Sequence, residues 1–324
     1  MLDIVITHYR EPWEVCRKLF LSLDLQRGID WKEIRVTLVN DGGHRLPEER
    51  LAELSFPIEQ LDIPHGGISR ARNAGMDHTK EPWLMYCDCD DSFSNIYALE
   101  DVMNVLHSSM NVREMFDMMW TKCWEETEDG VVFMIPDYRV FVFCHGKIYN
   151  RDFLDRENIR FEEELTFNED SCFNAVIIAR TTNKRIGAIK SHCPVYTWIR
   201  RRGSVTTGEG AQDKGTYCNF RRNLIVTEEN RLHRPAEYSG MVARTAYDAY
   251  FMVNARRITE SCKQQILEEF RPWIRERAGE VGKTDQARLD AILAISRDEL
   301  ADAEGKHEES HEQIQEWIRK VAEG

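Results

Sequence analysis

Several features that mark other classes of protein are missing from this chain of 324 residues. It contains no run of 18 apolar residues, so we expect no transmembrane helix, and its first residues lack the basic start of a signal peptide. The nine cysteines are scattered without a Cys-x-x-Cys pair, which disfavours a structural zinc site or a disulfide framework. These absences favour a globular protein with reduced thiols in the cytoplasm.

Basic residues are in the minority, since 43 Lys and Arg stand against 56 Asp and Glu and the formal net charge is −13. Such a charge repels nucleic acid, anionic polymers and anionic lipid over long range, and we expect no bulk binding of nucleic acid. The apolar fraction of 42% and the eight Trp argue for a packed core. The length suits one α/β catalytic domain with an appendage.

Hydrophobic periodicity divides the chain into two regions. Short apolar runs at 2–7, 34–40, 58–63 and 83–87 alternate with amphipathic segments, which predicts a parallel sheet with helical crossovers. Segments 116–125, 131–143 and 186–199 are rich in aromatic and β-branched residues and predict further strands. From about residue 219 the pattern is helical. We therefore expect a catalytic domain over 1–225 and a helical region over 226–324.

The helical region carries two apolar stripes. They consist of Ile266, Leu267, Phe270, Trp273 and Ile274, and of Ile314, Trp317, Ile318 and Val321. An amphipathic helix gains stability from the face that it buries, so each stripe must pack against something. Packing on the catalytic domain and an interface with a second copy or an acceptor-presenting partner both stay open. Acidic residues on the polar faces disfavour a membrane surface.

The strongest chemical signal is Cys87-Asp88-Cys89-Asp90-Asp91, which directly follows a predicted strand. Three carboxylates in so short a segment repel one another, and a cation relieves that repulsion. Hard oxygen ligands suit Mg²⁺ or Mn²⁺, and open α/β sheets bind ligands at the carboxyl ends of their strands. An acidic turn that caps the next helix is the alternative.

Two further segments lie at a predicted strand end and a predicted helix start. Asp41, followed by two glycines, can accept hydrogen bonds from a base or a ribose, although a plain Asp-Gly turn is favoured for this motif alone. Residues 66–75 combine glycines with arginines on the first turns of a helix, a pattern that can hold phosphate. No Gly-Lys-Ser/Thr sequence follows these glycines, so this is no Walker loop, and a solvated basic helix face stays open.

Three later segments carry charged side chains. Glu169-Asp170 precedes an apolar stretch and is either a helix cap or a catalytic carboxylate pair. Residues 200–202 are three arginines beside small hydroxyl residues, which indicates a diphosphate clamp on a mobile loop or a basic surface loop. His307 and His311 lie four residues apart in a polar tail, where a solvated helix face is favoured over a metal site.

In their order along the chain, these pieces resemble the family-2 glycosyltransferases of the GT-A fold. The similar segments are residues 4–11, 22–26, 40–43, 67–75, 87–91, 147–154, 169–170 and 196–204. The resemblance covers residues 2–210 and leaves the C-terminal hundred residues unmatched. Two departures stand out: Gly43 replaces the Ser of the family's nucleobase turn, and Cys87 and Cys89 flank the acidic motif, although no carboxylate is lost.

The resemblance implies an α/β fold of the GT-A type, a Rossmann-like and mostly parallel sheet flanked by helices, with a C-terminal helical region. It implies a metal-dependent, inverting, hexosyltransferase-type reaction from a nucleotide-sugar, with a UDP-sugar as the commonest donor, to an acceptor hydroxyl. Mn²⁺ or Mg²⁺ would be held by Asp90 and Asp88, Asp170 would be the base, and Arg201 or Arg202 would assist the leaving group. The implied donor-binding residues are Thr7, Tyr9, Glu11, Asp41, Arg72, Asn73 and Asp88.

Two rival classes stay open at this point. A nucleotidyltransferase also uses a sheet and a two-carboxylate metal site, but would leave the Glu169-Asp170 pair idle. A non-catalytic scaffold could keep a degenerate catalytic domain and act through its helices, although the carboxylates at 88, 90 and 170 argue against it. The sugar, the acceptor, the linkage and any homo-oligomer formed through the C-terminal helices lie beyond what the residues indicate.

Overall fold

The structure, a computed structural model, describes residues 1–108, 111–182, 185–201, 210–300 and 309–324, without the side chains of residues 138, 299 and 300. The chain divides into two compact units, Met1–Ser204 and Val205–Gly324. The helix Ala211–His233 runs unbroken through residue 225, where the sequence pattern placed the domain boundary. Polar and apolar residues are mixed around this helix, so its start carries no clear amphipathic signal.

The N-terminal unit alternates strands and helices over its first hundred residues. Its strands are β1 (Leu2–His8), β2 (Ile34–Asp41), β3 (Ile58–Ile63), β4 (Trp83–Asp88), β5 (Ser92–Phe93), β6 (Met118–Trp120), β7 (Cys123–Glu126), β8 (Val132–Met134), β9 (Lys147–Asn150), β10 (Ile186–Ala188) and β11 (Tyr196–Ile199). Its helices are α1 (Trp13–Asp24), α2 (Glu48–Leu51), α3 (Ile68–His78), α4 (Ala98–His107), α5 (Val112–Met115), α6 (Arg151–Arg156) and α7 (Glu169–Arg180), with 3-10 turns at Trp31–Glu33 and Asp137–Val142.

The main sheet of this unit has seven strands among the described residues, in the order β10-β6-β9-β4-β1-β2-β3. β1 lies between β2 and β4 and is parallel to both, whereas β9 runs antiparallel to β4 and β6. Parallel strands end at one edge of a sheet, so Thr7, Asp41 and Asp88 mark the same edge. The mostly parallel sheet flanked by helices confirms the predicted α/β class.

Burial explains why this sheet forms. All seven residues of β1 are buried, as expected for a central strand that is covered on both faces. α1 buries the apolar stripe that its sequence predicts, from Cys16 to Leu23. α3 lies so close to the sheet at Gly75 that a Cβ there would be 2.4 Å from Cγ1 of Val5. These contacts hold the helices that carry site residues against the strand ends.

The second sheet has the order β5-β11-β7-β8 in the part of the chain that the structure describes. Three strand predictions were wrong in this region. The strand predicted at 116–125 is two strands, β6 in the main sheet and β7 in the second sheet. The strand predicted at 131–143 is limited to β8, because Pro136 cannot donate to a ladder and residues 137–142 form a 3-10 turn. The strand predicted at 186–199 is two strands, since the chain leaves the main sheet after β10 and enters the second sheet with β11.

The C-terminal unit is helical, as predicted. Its helices are α8 (Ala211–His233), α9 (Pro235–Asn254), α10 (Glu260–Arg275), α11 (Ala278–Val281), α12 (Gln286–Leu300) and α13 (His311–Glu323). Both apolar stripes contribute to the core of this unit, where Phe270 of α10 stacks on Trp317 of α13 with ring centroids 5.6 Å apart. The two stripes therefore bury each other. Neither of the two expectations, packing on the catalytic domain or an interface with a partner, included this arrangement. No helix in the described ranges is long and apolar enough to span a bilayer.

Candidate functional site

The acidic cluster, defined as Asp88, Asp90 and Asp91, lies at the carboxyl end of β4. β4 and β1 pair with Asp88 opposite Thr7, and the Thr7 hydroxyl donates to Oδ1 of Asp88 at 3.3 Å. The two cysteines that flank Asp88 are both buried in the hydrophobic core. The two cysteines, which depart from the family's usual flanking residues, therefore contribute to the packing of the core at the end of β4.

Asp91 is the buried member of the cluster and connects it to β11. Its carboxylate accepts hydrogen bonds from the Tyr196 hydroxyl at 2.9 Å and from the Ile199 N–H at 2.8 Å. Burial, followed by the negative charges of Asp90 and Asp88, raises the pKa of Asp91 well above its usual range. The surroundings of Asp91 thus disfavour its ionised form.

Arg72 of α3 joins the acidic cluster to α7. Its side chain is 2% exposed, and its guanidinium donates to Oδ1 of Asp88 at 3.0 Å and to Oε1 of Glu169 at 2.8 Å. This bridge places the first turn of α7 beside the end of β4, although the two segments are some eighty residues apart in sequence. The arginine is buried between carboxylates rather than solvated on a basic helix face.

Asp170 follows Glu169 in the first turn of α7, which begins after the left-handed residue Asn168. The side chain is half-buried, and its Oδ1 accepts the N–H of Ser171 at 2.7 Å. Burial and the charge of Glu169 raise the pKa of Asp170 to about 7, although Arg72 acts in the opposite direction. Near neutral pH this carboxyl group is poised to take up or release a proton.

Arg201, which follows the end of β11, contacts the acidic cluster. Its Nε lies 2.5 Å from Oδ2 of Asp90, and its Nη2 lies 3.3 Å from Oε1 of Glu11. Although burial acts in the opposite direction, the backbone N–H of Tyr9, 3.1 Å from Oε2 of Glu11, helps to lower the pKa of that carboxyl. Arg201 thus links two predicted site residues, whereas Arg202 lies outside the described residues.

Asp41 is held by the loop that precedes α3. Its carboxylate accepts the backbone N–H groups of Gly66 at 2.7 Å and Gly67 at 2.9 Å, together with Nδ1 of His65 at 2.9 Å. The His65 ring in turn stacks on Tyr9, with centroids 4.2 Å apart and planes at 13°. The predicted nucleobase turn and the predicted aromatic residue are therefore neighbours at the edge of the sheet.

The departure at Gly43 has a steric cause. A Cβ at this position would lie 1.3 Å from the carbonyl oxygen of Tyr9, so no larger residue fits without a shift of the backbone. The family's Ser is excluded here by the close approach of the two chain segments.

Asn73 has both atoms of its amide engaged by the segment before α7. Its Nδ2 donates to the Phe161 carbonyl at 2.9 Å and to Glu163 at 3.2 Å, and its Oδ1 accepts the Phe161 N–H at 2.8 Å. These bonds hold α3 to the segment that precedes α7. Asn73 therefore stabilises the contact between α3 and the segment that precedes α7.

One residue near the cluster was not predicted from the sequence. His145, just before β9, is 3% exposed, and one oxygen each of Asp88 and Asp91 and one of its ring nitrogens lie within 4.8 Å of one another. Burial, then the charges of Lys147 and Arg72, lowers the pKa of His145 well below its usual range. No local pattern marks this histidine, because its neighbours come from distant parts of the chain.

The polar tail spells His-Glu-x-x-His at residues 307–311, a match that takes in the two histidines noted above. Residues 301–308 lie outside the described residues. The ring of His311 is engaged at both nitrogens, with Nδ1 2.9 Å from the Tyr247 hydroxyl and Nε2 2.8 Å from Asp290. These contacts fix α13 against its own unit and favour a packing role for this histidine.

Comparison with known proteins agrees with the motifs at the sheet edge. Residues 3–112 match the family model of glycosyl transferase family 2. The uncharacterized glycosyltransferase EpsJ of Bacillus subtilis is 24% identical over 200 residues, which are 54% of this chain and 55% of EpsJ. The minor teichoic acid biosynthesis protein GgaA of the same organism is 27% identical over 207 residues, 58% of this chain and 45% of GgaA. The chain spans about half the length of these curated relatives.

Two crystal structures of S. aureus TarS 1-349 share the fold. The complex with UDP superposes with a TM-score of 0.64 at 16% identity, and the complex with UDP-GlcNAc with 0.65 at 17%. Each likeness covers 99% of this chain and 90% of that chain. Residues 3–112 thus resemble glycosyl transferase family 2, and the chain shares its fold with the TarS structures.

Proposed function

We propose that this chain transfers a sugar from a UDP-sugar to an acceptor hydroxyl with inversion at the anomeric carbon. The observation that carries the proposal is the Arg72 bridge, which brings the Glu169-Asp170 pair to the acidic cluster. A base beside a diphosphate site is what an in-line displacement needs, and a nucleotidyltransferase has no use for it. The UDP and UDP-GlcNAc bound by TarS, which has the same fold, support the donor class.

Asp170 is the proposed base. As the acceptor oxygen attacks the anomeric carbon, Asp170 takes the hydroxyl proton, and the bond from that carbon to the diphosphate oxygen breaks with its electron pair on the diphosphate. A pKa of about 7 makes Asp170 a far better proton acceptor than an ordinary aspartate while leaving it ionised above neutrality. The ion pair between Arg72 and Glu169 fixes the first turn of α7, which carries Asp170.

A divalent cation fits the acidic cluster. Burial, followed by the charge of Asp88, raises the pKa of Asp90 even though Arg201 contacts it, so negative charge is in excess at this edge. Mn²⁺ or Mg²⁺ would supply positive charge that offsets the charge developing on the diphosphate. Asp88 and Asp90 are the proposed ligands of this ion, as in the sequence prediction. Asp90 must release Arg201 before it can bind the ion. The freed guanidinium of Arg201 would then face the leaving group.

Replacement of Asp170 tests the reaction. Asp170→Asn should slow single-turnover sugar transfer by a factor on the order of 10² or more, with UDP-sugar affinity by calorimetry nearly unchanged. Asp152→Asn is the matched control, because Asp152 occupies the same position in the first turn of α6 but is exposed. Loss of donor affinity with turnover preserved would make Asp170 a structural residue.

Two further readouts complete this test. NMR of the product should show an anomeric configuration opposite to that of the donor, and retention would overturn the proposed inversion. Transfer should stop in excess EDTA and return with Mn²⁺, whereas full turnover in EDTA would remove the metal from the proposal. Exchange of a nucleoside triphosphate without sugar transfer would favour the nucleotidyltransferase.

A further inference from the structure

The second sheet presents a row of side chains across its strands, formed by Trp198, Glu125 and Phe133. Trp198 of β11 lies opposite Glu125 of β7, and Glu125 lies opposite Phe133 of β8. Residues that are directly opposite in neighbouring strands point to the same face of a sheet. Glu125 is completely buried in this row, whereas Phe133 is 39% exposed. A buried carboxylate and an exposed aromatic ring therefore share one face.

Two arginines share the single carboxylate of Glu125. Nη1 of Arg139 lies 3.2 Å from its Oε2, and Nε of Arg200 lies 2.5 Å from its Oε1. No other acidic side chain contacts either arginine in the ranges that the structure describes. Arg72 and Arg201 are in the opposite situation, because each of them is shared between two carboxylates. The group at Glu125 therefore carries one positive charge in excess, although the whole chain has a formal net charge of −13.

Aromatic rings hold both guanidinium groups in place. The guanidinium carbon of Arg139 lies 5.4 Å from the centre of the Phe143 ring, and that of Arg200 lies 5.1 Å from the centre of the Trp198 ring. These two rings are themselves in contact, with centroids 5.0 Å apart. Both arginine side chains stay partly exposed, at 30% and 49%. A planar guanidinium that is held on a ring and keeps further N–H donors loses little entropy when it binds an anion.

Hydrogen bonds from α7 place this group near the proposed base. The amide of Asn174 donates to the carbonyl oxygens of Phe141 at 3.1 Å and Phe143 at 2.9 Å, which fixes the segment after Arg139 against α7. Asn174 is four residues after Asp170, and residues four apart lie on the same face of a helix. An acceptor whose hydroxyl is at Asp170 can therefore reach the arginine pair with a neighbouring group.

We propose that Arg139, Arg200 and the exposed ring of Phe133 form an acceptor subsite for an anionic glycan, one that carries a phosphate or a carboxylate next to the accepting sugar. The guanidinium groups bind the anion through paired N–H donors, and the ring of Phe133 packs against the apolar face of a sugar. The inference rests on the proposed function for the role of the subsite, but binding of the glycan does not require sugar transfer. It names the acceptor class that the sequence leaves open.

Calorimetry of the full chain in excess UDP tests the subsite, because UDP occupies the proposed donor site and excludes the glycan from it. The probes are maltohexaose, maltohexaose 6-phosphate and a galacturonate hexamer, which are neutral, phosphorylated and carboxylated. At least one anionic probe should bind about tenfold more tightly than the neutral probe, and Arg200→Gln should remove most of that gain. Arg139→Gln should act in the same way, and both variants should leave the affinity for maltohexaose unchanged.

Two controls separate the loss of the subsite from a loss of folding and from a general effect of charge. Arg200→Gln leaves Glu125 paired with Arg139, so thermal melts should show a folded protein. The matched control is Arg113→Gln, because Arg113 is 44% exposed and pairs with the exposed Asp152. This control should change each affinity by less than about twofold.

Equal affinity for the neutral and the two anionic glycans would overturn the proposal, as would unchanged affinity in folded Arg139→Gln and Arg200→Gln. Tight binding of only one anionic probe would support it and identify the anion as phosphate or carboxylate. Binding that Arg113→Gln weakens to the same extent would show a general effect of charge and would also overturn it. A protein that binds an anionic glycan through these arginines but transfers no sugar would instead overturn only the proposed function.

Discussion

Asp91 in the N-terminal unit and Asp248 in the C-terminal unit are both almost completely buried, at 1% and 2% exposure, but their partners differ. Asp248 accepts hydrogen bonds from the guanidinium of Arg244, the amide of Asn223 and the hydroxyl of Ser296. Asp91 receives a hydroxyl and a backbone N–H, and two further carboxylates lie beside it in sequence. Asp248 thus has a cationic partner, whereas the donors to Asp91 are neutral.

This difference separates structural charge from charge that can serve a ligand. A buried carboxylate with a guanidinium and two further donors stabilises its own fold and gains nothing from an added ion. A cluster in which acids outnumber bases disfavours its own ionised form, and a proton or a bound cation relieves the repulsion. The pKa values of Asp90, Asp91 and Asp170 are all raised, which marks the edge of the main sheet as the unbalanced region.

Removal of one guanidinium from each unit, that of buried Arg72 and that of partly exposed Arg244, should break the comparison most strongly. Arg72→Met leaves Asp88 and Glu169 without their shared cation, and we expect a loss of about 3–5 kcal/mol in unfolding free energy together with loss of sugar transfer. Arg244→Met leaves Asp248 with its amide and hydroxyl donors, so the expected loss is about 1–3 kcal/mol with transfer retained.

Hydrogen exchange read by mass spectrometry assigns each loss to its unit, because it reports local opening segment by segment. Faster exchange should be confined to residues 1–204 in Arg72→Met and to residues 205–324 in Arg244→Met. If Arg244→Met abolished transfer, or Arg72→Met left it intact, the assignment of catalytic charge to the sheet unit would be wrong.

The sequence predicted the edge of the sheet better than the contacts across it. The strand that ends at Asp88 and the strand that ends at Asp41 follow from apolar runs closed by acidic residues, a local pattern. The two partners of Arg72 lie 16 and 97 residues away, and no local pattern encodes such a pairing. His145 was missed for the same reason.

The apolar stripes of the helical unit show a second limit. Periodicity indicates that a face is buried but does not name its partner, so the mutual packing of Phe270 and Trp317 could not be derived. The strand predicted over 131–143 failed because alternation of apolar residues continued past Pro136, where the ladder ends.

Two Asp-to-Asn substitutions, one in each unit, should change the unfolding free energy in opposite directions and sharpen the comparison. The pKa of Asp170 is raised to about 7 in the folded state and is about 3.9 when unfolded, so the folded state holds a proton that the unfolded state lacks between these values. Stability therefore falls as the pH rises through this window. Asp170→Asn should raise the unfolding free energy at pH 8 by on the order of 1–4 kcal/mol, with no gain below about pH 4.

Asp248→Asn is the partner of that test. Its carboxylate is paired with Arg244, so the same change should lower stability at pH 8. Thermal melts at pH 5 and pH 8 give both values. Equal shifts in Asp170→Asn at the two pH values would show that the group titrates normally, and the proposed base would lose its support from the pKa.

The smallest expected effect comes from the helical core. Trp317 stacks on Phe270 and meets the edge of Tyr250 at 5.4 Å, so Trp317→Phe keeps an aromatic contact but reduces the buried volume. We expect a loss of about 1 kcal/mol, confined to residues 205–324 in hydrogen exchange. Ile318→Val, a similar reduction one residue away, should cost about the same. Donor affinity and transfer should stay unchanged in both, because the stripe packs within its own unit. A change in molecular mass by light scattering, or a loss of transfer with donor binding intact, would instead make this face an interface with a second copy or an acceptor-presenting partner.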